Sequence, residues 1–404
     1  MEIRRLTPEE QIQRRGLSQT VFFHEREDIR KMLKAPQEHI KDEDAVSWGA
    51  FSEGGASRLE SALKVIPYNM RMNGHDVKMA GIASVATRPE ARGKGHVRRI
   101  MEKAFPAMLE AGQTFSFLYP FSYEYYRKLG YEMCHAYHKV TIPPEQAAFY
   151  PFPDGMEPYE PGEPFSPFEE VYGTFIQSRN LAILRKEAEW QNLLERDPYK
   201  DFKFTYLHRD SQGKADAYIL YNAEDKGSDG NGLKIEELCW ATPEGLKCIF
   251  GFLGKLGAEY SSIEWNAPCD VDVHALFPNA YDLTWKVASV GMLRLVDVNG
   301  ALATLRAPEG SGRVNIGVSD KSLPGNSGIY SIQWESGSLA IQKEEGGKNN
   351  EPHLETTAET LAQLVTGYLS PLQASYKKDT LLQGRLPELM TLFPKQHIYI
   401  KEQF

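Results

Sequence analysis

The segment Arg92-Gly93-Lys94-Gly95 carries the residues whose chemistry is easiest to interpret. It follows a strand-like apolar run and directly precedes a helical pattern that begins near His96. The first N–H groups of a helix have no intrahelical partner, and glycines allow a ligand to approach the backbone, so this turn predicts a pyrophosphate site. It is not a Walker A loop, and Arg98 stands where the third glycine of a dinucleotide fingerprint belongs. A basic, solvated turn is the alternative interpretation.

The elements that must position this turn form a strand, a helix, a second strand and a short helix. The strand-like runs cover residues 77–86 and 114–119, and the short helix is rich in tyrosine, starting at Tyr123. Asn73-Gly74 precedes the first run and is a hairpin signal, so that strand is expected to pair antiparallel with the one before it. We therefore predict a mostly antiparallel central sheet with helices around it.

Length and composition set the limits of the interpretation. A chain of 404 residues predicts about two to three domains. The net charge of −9 disfavours nucleic acid as a partner and favours attraction of a cation. Four scattered cysteines without CxxC spacing indicate reduced thiols, and no apolar run is long enough to span a bilayer, so we expect a cytoplasmic protein. Asp270, Asp272 and His274 alternate along the chain, but a solvated loop is the favoured interpretation, and we predict no metal site.

A repeat and a composition change divide the chain. The order strand, Ala-Thr, Pro-Glu, helix, strand occurs from Ser84 and again from Glu237, where the Arg-Gly-Lys-Gly segment is missing. The second copy therefore predicts the same architecture without the phosphate turn. A proline-dense connector at residues 142–167 separates the two copies, and a third pattern of strands and helices begins after Val287. The predicted domains are 1–145, 146–287 and 288–404.

The turn resembles motif A of the GNAT-type N-acetyltransferases, whose Arg/Gln-x-x-Gly-x-Gly/Ala loop holds the pyrophosphate of acetyl-CoA. Arg92 and Gly95 match that pattern, and Val97 departs from it. The resemblance implies an α+β fold with two GNAT-like mixed-sheet domains, the second degenerate, followed by a sterol-carrier-protein-like α+β domain. It implies acetyl-CoA as co-substrate and a cofactor site made by Val85, Ala86, Thr87, Arg92, Gly93, Lys94, Gly95, His96, Val97, Phe121 and Ser122.

The tyrosine-rich segment that ends Tyr126-Arg127-Lys128-Leu129-Gly130-Tyr131 resembles motif B of the same family. There, a tyrosine faces the thioester sulfur. A phenol with a pKa of about 10 can protonate a leaving thiolate, whose thiol has a pKa of about 8.5 if it behaves like cysteine. Tyr126 matches the motif position and is the predicted proton donor, with Tyr123 and Tyr125 as alternatives and aromatic packing as the non-catalytic interpretation.

The order of the three units resembles the enhanced-intracellular-survival (Eis) acetyltransferases, in which the base is the carboxylate of the last residue. By this resemblance the Phe404 carboxylate deprotonates the acceptor amine, and the protein is a homohexamer. The implied acceptor is a small-molecule or peptide amine, either a polycation such as an aminoglycoside or a lysine side chain. Surface acids could attract such a cation; they are Glu25, Asp28, Asp42, Glu43 and Asp44. The alternative function is a non-catalytic carrier or sensor of acyl-CoA or lipid.

Overall fold

The computed structural model describes residues 1–22, 45–52, 58–152, 154–225, 230–344, 351–402 and 404. The sequence also predicts a helix within residues 28–35, and both this helix and the five surface acids lie outside these ranges. The β-strands are β1 Glu2–Arg5, β2 Val46–Phe51, β3 Leu59–Met72, β4 His75–Thr87, β5 Phe115–Leu118, β6 Glu132–Ile142, β7 Met156–Pro158, β8 Arg179–Asn180, β9 Lys203–Arg209, β10 Ala215–Asp225, β11 Asn231–Trp240, β12 Ser262–Pro268, β13 Thr284–Leu295, β14 Ser311–Ser319, β15 Gly328–Glu335, β16 Ser338–Glu344, β17 Leu354–Thr357, β18 Leu381–Leu382 and β19 His397–Ile398. The α-helices are α1 Gln11–Phe22, α2 His96–Glu110, α3 Tyr123–Arg127, α4 Pro144–Ala147, α5 Ser166–Ile176, α6 Glu187–Leu194, α7 Pro243–Lys255, α8 Val273–Leu276, α9 Val298–Leu302, α10 Ala358–Val365, α11 Pro371–Ala374 and α12 Leu386–Leu392.

The first domain is built around the β3–β4 hairpin. Asn73 and Gly74 both have positive φ, 51° and 89°, as the two central residues of a type I′ turn require. Met72 pairs with His75 across the turn, and the antiparallel register continues to Ser61 and Thr87. The predicted hairpin is confirmed. The apolar face of α2 covers one side of the sheet, with Ile100, Ala104 and Met108 buried at helical spacing.

The first and second domains share a single sheet of twelve strands. Its order is β1-β2-β3-β4-β5-β13-β6-β12-β11-β10-β9-β7. Strand β13 comes late in the chain, yet it lies between β5 and β6, pairing Met292 with Leu118 and Trp285 with Val140. Strand β6 in turn pairs with β12 of the second domain. The predicted boundary at residue 287 falls inside β13.

The second domain repeats the strand–helix–strand unit of the first, as the sequence predicts. Strands β11 and β12 are parallel and are connected by α7, just as the parallel pair β4 and β5 is connected by α2. The start of α7 is closed by protein groups: the Thr242 hydroxyl accepts the Gly245 N–H and donates to the Asp216 carboxylate at 2.7 Å. The repeat therefore keeps the architecture while a side-chain carboxylate lies where an anion would bind. The proline density of the connector predicts neither a regular helix nor a central strand. The four-residue helix α4 departs from this prediction, because proline fits the first turn of a helix, whereas β7 is an edge strand and agrees with it.

The third domain packs its core directly onto the first. Its five-stranded sheet has the order β16-β15-β14-β17-β18. One continuous buried cluster contains Phe115 and Phe117 from β5 together with Ile316 of β14 and Leu361 of α10. The chain then ends beside the second domain, where β19 pairs in parallel with β8. The alternating pattern of residues 397–404 predicts a final strand, but among the described residues of this segment only His397 and Ile398 have a strand partner.

Within the described ranges, no helix is both long and apolar enough to cross a membrane.

Candidate active site

The centre of the candidate site is a fork between β4 and β5. These parallel strands pair only from Met79 and Phe115 to Gly81 and Phe117. Strand β4 then continues to Thr87 along β3, while β5 ends at Leu118 along β13. The two strands therefore separate after Gly81, and the β4 backbone beyond this point faces the opening. Unpaired strand edges of this kind bind extended ligands through main-chain hydrogen bonds.

The predicted residues Val85, Ala86 and Thr87 form the last part of β4, beyond the point of separation. Just before them, Ser84 has φ 50°, which is unusual for a residue other than glycine, and the β3–β4 register shifts between Ala62 and Lys64. A bulge re-aims the strand that carries it, and such features are enriched beside functional sites. The bulge therefore turns the end of β4 relative to its first half.

The predicted phosphate turn lies directly after β4 and opens α2. Gly93 and Gly95 have φ of 77° and 75°, in the left-handed region, and a Cβ added at either position would meet nothing within 4 Å. Arg92 and Lys94 are exposed beside them. The turn thus offers open backbone at a helix N-terminus surrounded by positive charge, which is the geometry of an anion site.

His96 and Val97, also predicted to contact the cofactor, turn their side chains into the protein. The His96 ring is buried, with Nε2 3.1 Å from a Glu60 carboxylate oxygen on β3. Val97 belongs to the core between α2 and the sheet. Only their backbone N–H groups, in the first turn of α2, remain for an anion. The departure of Val97 from the family pattern is therefore a core-packing difference.

Tyr126 lies at the fork on the α2 side of the sheet. It is 3% exposed and belongs to the cluster that contains Ile82 and Leu118, the residues at which the strands separate. Burial, and then the neighbouring Tyr125 and Tyr131 hydroxyls, raise the pKa of its phenol. Tyr126 is therefore a protonated phenol at neutral pH.

Phe121 and Ser122 position the helix that carries Tyr126. The Ser122 hydroxyl accepts the Tyr125 N–H at 3.3 Å and caps α3. The Phe121 ring is 68% exposed, with its centroid 5.3 Å from that of Tyr126. Ser122 thus has a structural role, while Phe121 presents an aromatic surface beside the fork.

Phe404 lies at the same fork on the opposite face of the sheet. Its ring packs directly over Gly81, where an added Cβ would come within 3.0 Å of the Phe404 ring. The Phe404 centroid is also 5.2 Å from that of Tyr68 and 5.7 Å from that of Tyr119. Alternate residues of a strand point to opposite faces of the sheet. Phe404 lies next to Gly81 and Tyr126 packs in the same cluster as Ile82, so the two residues lie on opposite sides of one opening. The structure therefore brings both predicted catalytic residues to the fork.

A buried ion cluster holds the chain terminus in this place. The Arg185 guanidinium donates to Glu402 at 2.7 Å and to both carboxylate oxygens of Glu237 at 2.7 and 2.6 Å. Tyr399, the residue directly after β19, is buried and donates its N–H to the Asn180 carbonyl. A terminus tied down in this way does not fray.

Sequence reasoning missed the group that fixes the loop after Tyr126. The Arg294 guanidinium of β13 donates to the Leu129 carbonyl at 2.9 Å and pairs with Asp320 of the third domain at 2.9 Å, and both side chains are fully buried. Gly130 has no room for a side chain, because an added Cβ would overlap the guanidinium. The glycine of the motif was visible in the sequence, but nothing local indicated its partner 164 residues later.

Three basic or strained positions were also missed. Arg98 and Arg99 are exposed in the first turn of α2, beside the phosphate turn, and Ser84 carries the bulge. The helical spacing of apolar residues in α2 could have indicated that Arg98 and Arg99 lie on the exposed side of the helix. In the part of the chain that the structure describes, no three His, Cys, Asp or Glu side chains are grouped for metal binding, and Asp270 instead pairs with Arg179 at 2.7 Å.

Comparison with protein families identifies the three units. Residues 2–134 and 181–295 each match a family described as "Acetyltransferase (GNAT) domain", and residues 298–400 match the sterol carrier protein domain. The protein is an acetyltransferase with two GNAT domains. The search of curated proteins found no relative that matches this acetyltransferase.

Solved structures share the fold of the acetyltransferase along its whole length. A GCN5-related N-acetyltransferase from Anabaena variabilis has a TM-score of 0.84 at 22% identity and covers 100% of both chains. A probable N-acyltransferase from Enterococcus faecalis has a TM-score of 0.81 at 22% identity and covers 98% of this chain and 97% of its own. Eis1 from Mycobacterium abscessus has a TM-score of 0.78 at 17% identity and covers 100% of both. At these identities the likeness is one of fold.

GNAT domains use acetyl-CoA as co-substrate, and the first domain has the features that this molecule needs. The open, glycine-bearing turn suits a pyrophosphate, and the fork suits an extended chain that hydrogen-bonds to the β4 backbone. In the second domain Asp216 and Thr242 close the equivalent helix start. The first domain is therefore the one that fits acetyl-CoA.

Proposed function

We propose that this acetyltransferase transfers acetyl from acetyl-CoA to a primary amine by direct attack at the fork of the first domain. The observation that supports it is the approach of Tyr126 and Phe404 to the fork from opposite faces of the sheet. A base on the acceptor side and an acid on the leaving-group side are the two groups that aminolysis of a thioester requires.

The Phe404 carboxylate is the proposed base. A primary ammonium has a pKa of about 10.4 and cannot attack until it loses a proton. The chain terminus carries a carboxylate, and the Arg185 cluster together with the aromatic contacts of the Phe404 ring holds it beside Gly81. The terminal carboxylate accepts the proton as the amine attacks.

Tyr126 is the proposed acid. Its buried phenol keeps its proton at neutral pH because burial raises its pKa. Packing against Phe121, Tyr125 and Tyr131 fixes the ring, so the hydroxyl is oriented before the reaction begins. Tyr126 then donates its proton to the leaving sulfur.

The phosphate turn, the first turn of α2 and the end of β4 bind the co-substrate in this proposal. Bound there, acetyl-CoA contributes the acetyl thioester. Backbone N–H groups of Gly93, Gly95 and the first turn of α2 hold the pyrophosphate, with Arg92 and Lys94 adding positive charge. The β4 backbone at residues 85–87 holds the extended arm and orients the carbonyl.

We further propose that the protein is of the Eis type, with a homohexameric assembly and a cytoplasmic location as that resemblance implies. The full-length likeness to Eis1 from Mycobacterium abscessus and the three-unit order support this. The acceptor is a primary amine that is cationic in solution, for which the resemblance offers an aminoglycoside-like molecule or a lysine side chain.

A carrier or sensor role is less well supported. A lipid carrier needs an apolar surface that is free to enclose its ligand. Here the apolar side chains of α10 are buried in the core that the third domain shares with β5. The covered face argues for a structural role of the third domain.

The test measures release of free CoA with a panel of primary amines and compares three forms of the C-terminus. Deletion of Phe404 moves the carboxylate away from the fork and is expected to lower kcat by about 100-fold or more, the usual contribution of a general base. Phe404→Ala keeps a terminal carboxylate but loses the ring contacts, and is expected to be intermediate. Unchanged kcat after the deletion would exclude the terminal carboxylate as base, and no turnover of any amine would exclude acetyl transfer to amines.

A further inference from the structure

A cavity of about 130 Å³ lies next to the fork, where all three domains meet. Its wall includes Tyr119 after β5, His135 and Tyr137 of β6, Asn266 of β12 and Lys401 of the C-terminal segment. Tyr119 lines the cavity and also packs beside Phe404, with the two ring centroids 5.7 Å apart. The cavity is therefore close enough to Phe404 to take the far end of a small molecule whose amine reaches that residue.

The wall of the cavity is rich in hydrogen-bond donors. Lys401 contributes an ammonium, Asn266 an amide, and Tyr119 and Tyr137 their hydroxyls. Along the part of the wall that the structure describes there is no aspartate or glutamate. A pocket built for a second cationic group would need carboxylates, whereas this donor set suits an anion.

The Lys401 ammonium has no protein partner among the described residues. The nearby carboxylates of Glu237 and Glu402 are both bound to Arg185. Burial lowers the pKa of Lys401 even though Glu237, Glu236 and Glu402 act in the opposite direction. Lys401 is half-buried, and its side chain forms no hydrogen bond or ion pair with the described residues, so an anion that enters the cavity can pair with it.

His135 presents a second unpartnered group to the same space. Its ring is buried, and its Nδ1 has no hydrogen-bond partner. Burial, with Lys401 adding to it, lowers the pKa of His135 to about 3, so the ring is neutral. A neutral imidazole can donate one hydrogen bond to an anion without adding charge.

We propose that the cavity binds the carboxylate of the acceptor, which is therefore an amino acid or a similar small molecule with a primary amine and a carboxylate. Lys401 pairs with the carboxylate and His135 hydrogen-bonds to it. The volume is close to that of the roughly 150 Å³ engineered cavity that holds benzene, so a carboxylate with a short carbon chain fits. The inference rests on the proposed acetyl transfer to an amine, and it selects a zwitterionic acceptor over a polycation.

The experiment compares amines that differ only in the carboxylate. The pairs are L-lysine and cadaverine, L-phenylalanine and 2-phenylethylamine, and 4-aminobutyrate and n-propylamine. For each pair, kcat/KM is measured in the wild type, Lys401→Met, Lys401→Arg and the control Lys286→Met, which removes an exposed lysine of β13 outside the cavity.

The expected result is that at least one amino acid exceeds its carboxylate-free partner in kcat/KM. Lys401→Met should lower that ratio by about 10-fold or more, the effect of losing one hydrogen bond between charged groups. Lys401→Arg should retain most of the ratio, and Lys286→Met should retain all of it. Differences in amine pKa within a pair cancel when the ratio is compared between wild type and variant, because both act on the same two amines.

The proposal is overturned if no amino acid exceeds its partner, if Lys401→Met leaves the ratio unchanged, or if spermidine is a better acceptor than every amino acid. If no amine at all is acetylated, the proposed function fails separately. Calorimetric titration of the three amino acids into wild type and Lys401→Met then tests whether the cavity binds a carboxylate. Binding that depends on Lys401 supports the proposal, and the absence of such binding overturns it.

Discussion

At the scale of single residues, the chemistry of the site depends on which groups are buried and which of them are paired. Tyr126 and His135 are both buried without an opposite charge, so both are held in their neutral forms. Arg185, in contrast, keeps its charge because two carboxylates bind it. All three side chains are buried, so it is the pairing with carboxylates that separates the charged anchor Arg185 from the neutral proton donor Tyr126.

Tyr126→Phe removes the proposed acid while keeping the ring contacts. We expect kcat to fall by about 100-fold or more, because general acid catalysis contributes at least that much. The KM for acetyl-CoA should change little, since the turn and β4 are untouched. Steady-state kinetics decides this, with Tyr125→Phe on the same helix as the matched control. A larger loss in Tyr125→Phe would reassign the acid to Tyr125.

The buried His135 predicts a dependence of stability on pH. Its folded pKa of about 3 lies below the ordinary value of 6.5, so the unfolded chain binds a proton that the folded protein excludes. Its contribution to stability is complete above pH 6.5 and is lost as the pH falls towards 3. From pH 8 to pH 5 we expect the free energy of unfolding to fall by about 2 kcal/mol through this one group.

Urea unfolding at several pH values measures this loss. His135→Gln should remove the part of the pH dependence above pH 5 that comes from this group, whereas His75→Gln, which changes an exposed histidine, should keep it. The same slope in wild type and His135→Gln would contradict the assignment.

At the scale of elements, local signals in the sequence were sufficient where the structure is local. Asn73-Gly74 predicted its hairpin, and Thr242 with Pro243 marked the start of α7, because turn and cap geometry depends on adjacent residues. The fork could not be predicted this way. It depends on where the pairing of β4 with β5 stops, and that is set by a bulge and by β13 from a distant part of the chain.

Alanine at Gly93 or Gly95 tests the phosphate turn as an element. Each substitution places a side chain at positive φ, which costs about 1 kcal/mol of stability. We also expect the KM for acetyl-CoA to rise by about 10-fold, because one or more charge-assisted hydrogen bonds to the pyrophosphate are lost.

Gly310→Ala is the matched control for the turn. Gly310 has φ 77° and open space around its Cβ position, as Gly93 does, but it lies in the third domain. In thermal unfolding, Gly310→Ala should lose about as much stability as the Gly93 and Gly95 variants. Its KM for acetyl-CoA should not change. Equal KM values in all three variants would mean that the turn does not bind the co-substrate.

At the scale of the whole molecule, the three units were predictable from sequence and their integration was not. The repeat and the change of pattern after Val287 indicated two related domains and a third one. The single twelve-stranded sheet, the core shared between the first and third domains and the Arg185 cluster all join residues that are far apart in the chain. Such pairings leave no mark in the local periodicity from which strands and helices are predicted.

This integration predicts that the first domain does not fold alone. A fragment of residues 1–145 lacks β13, so β5 and β6 lose the strand that lies between them, and Arg294 no longer holds the loop after Tyr126. The fragment also exposes Met70, Met79 and Phe117, which are fully buried against the third domain in the complete chain. We expect a compact state that binds hydrophobic dyes and shows no cooperative thermal transition, in contrast to the full chain. The fragment retains the entire phosphate turn and Tyr126, so a cooperative transition together with acetyl-CoA binding in calorimetry would show instead that the insertion of β13 adds to a domain that is already complete.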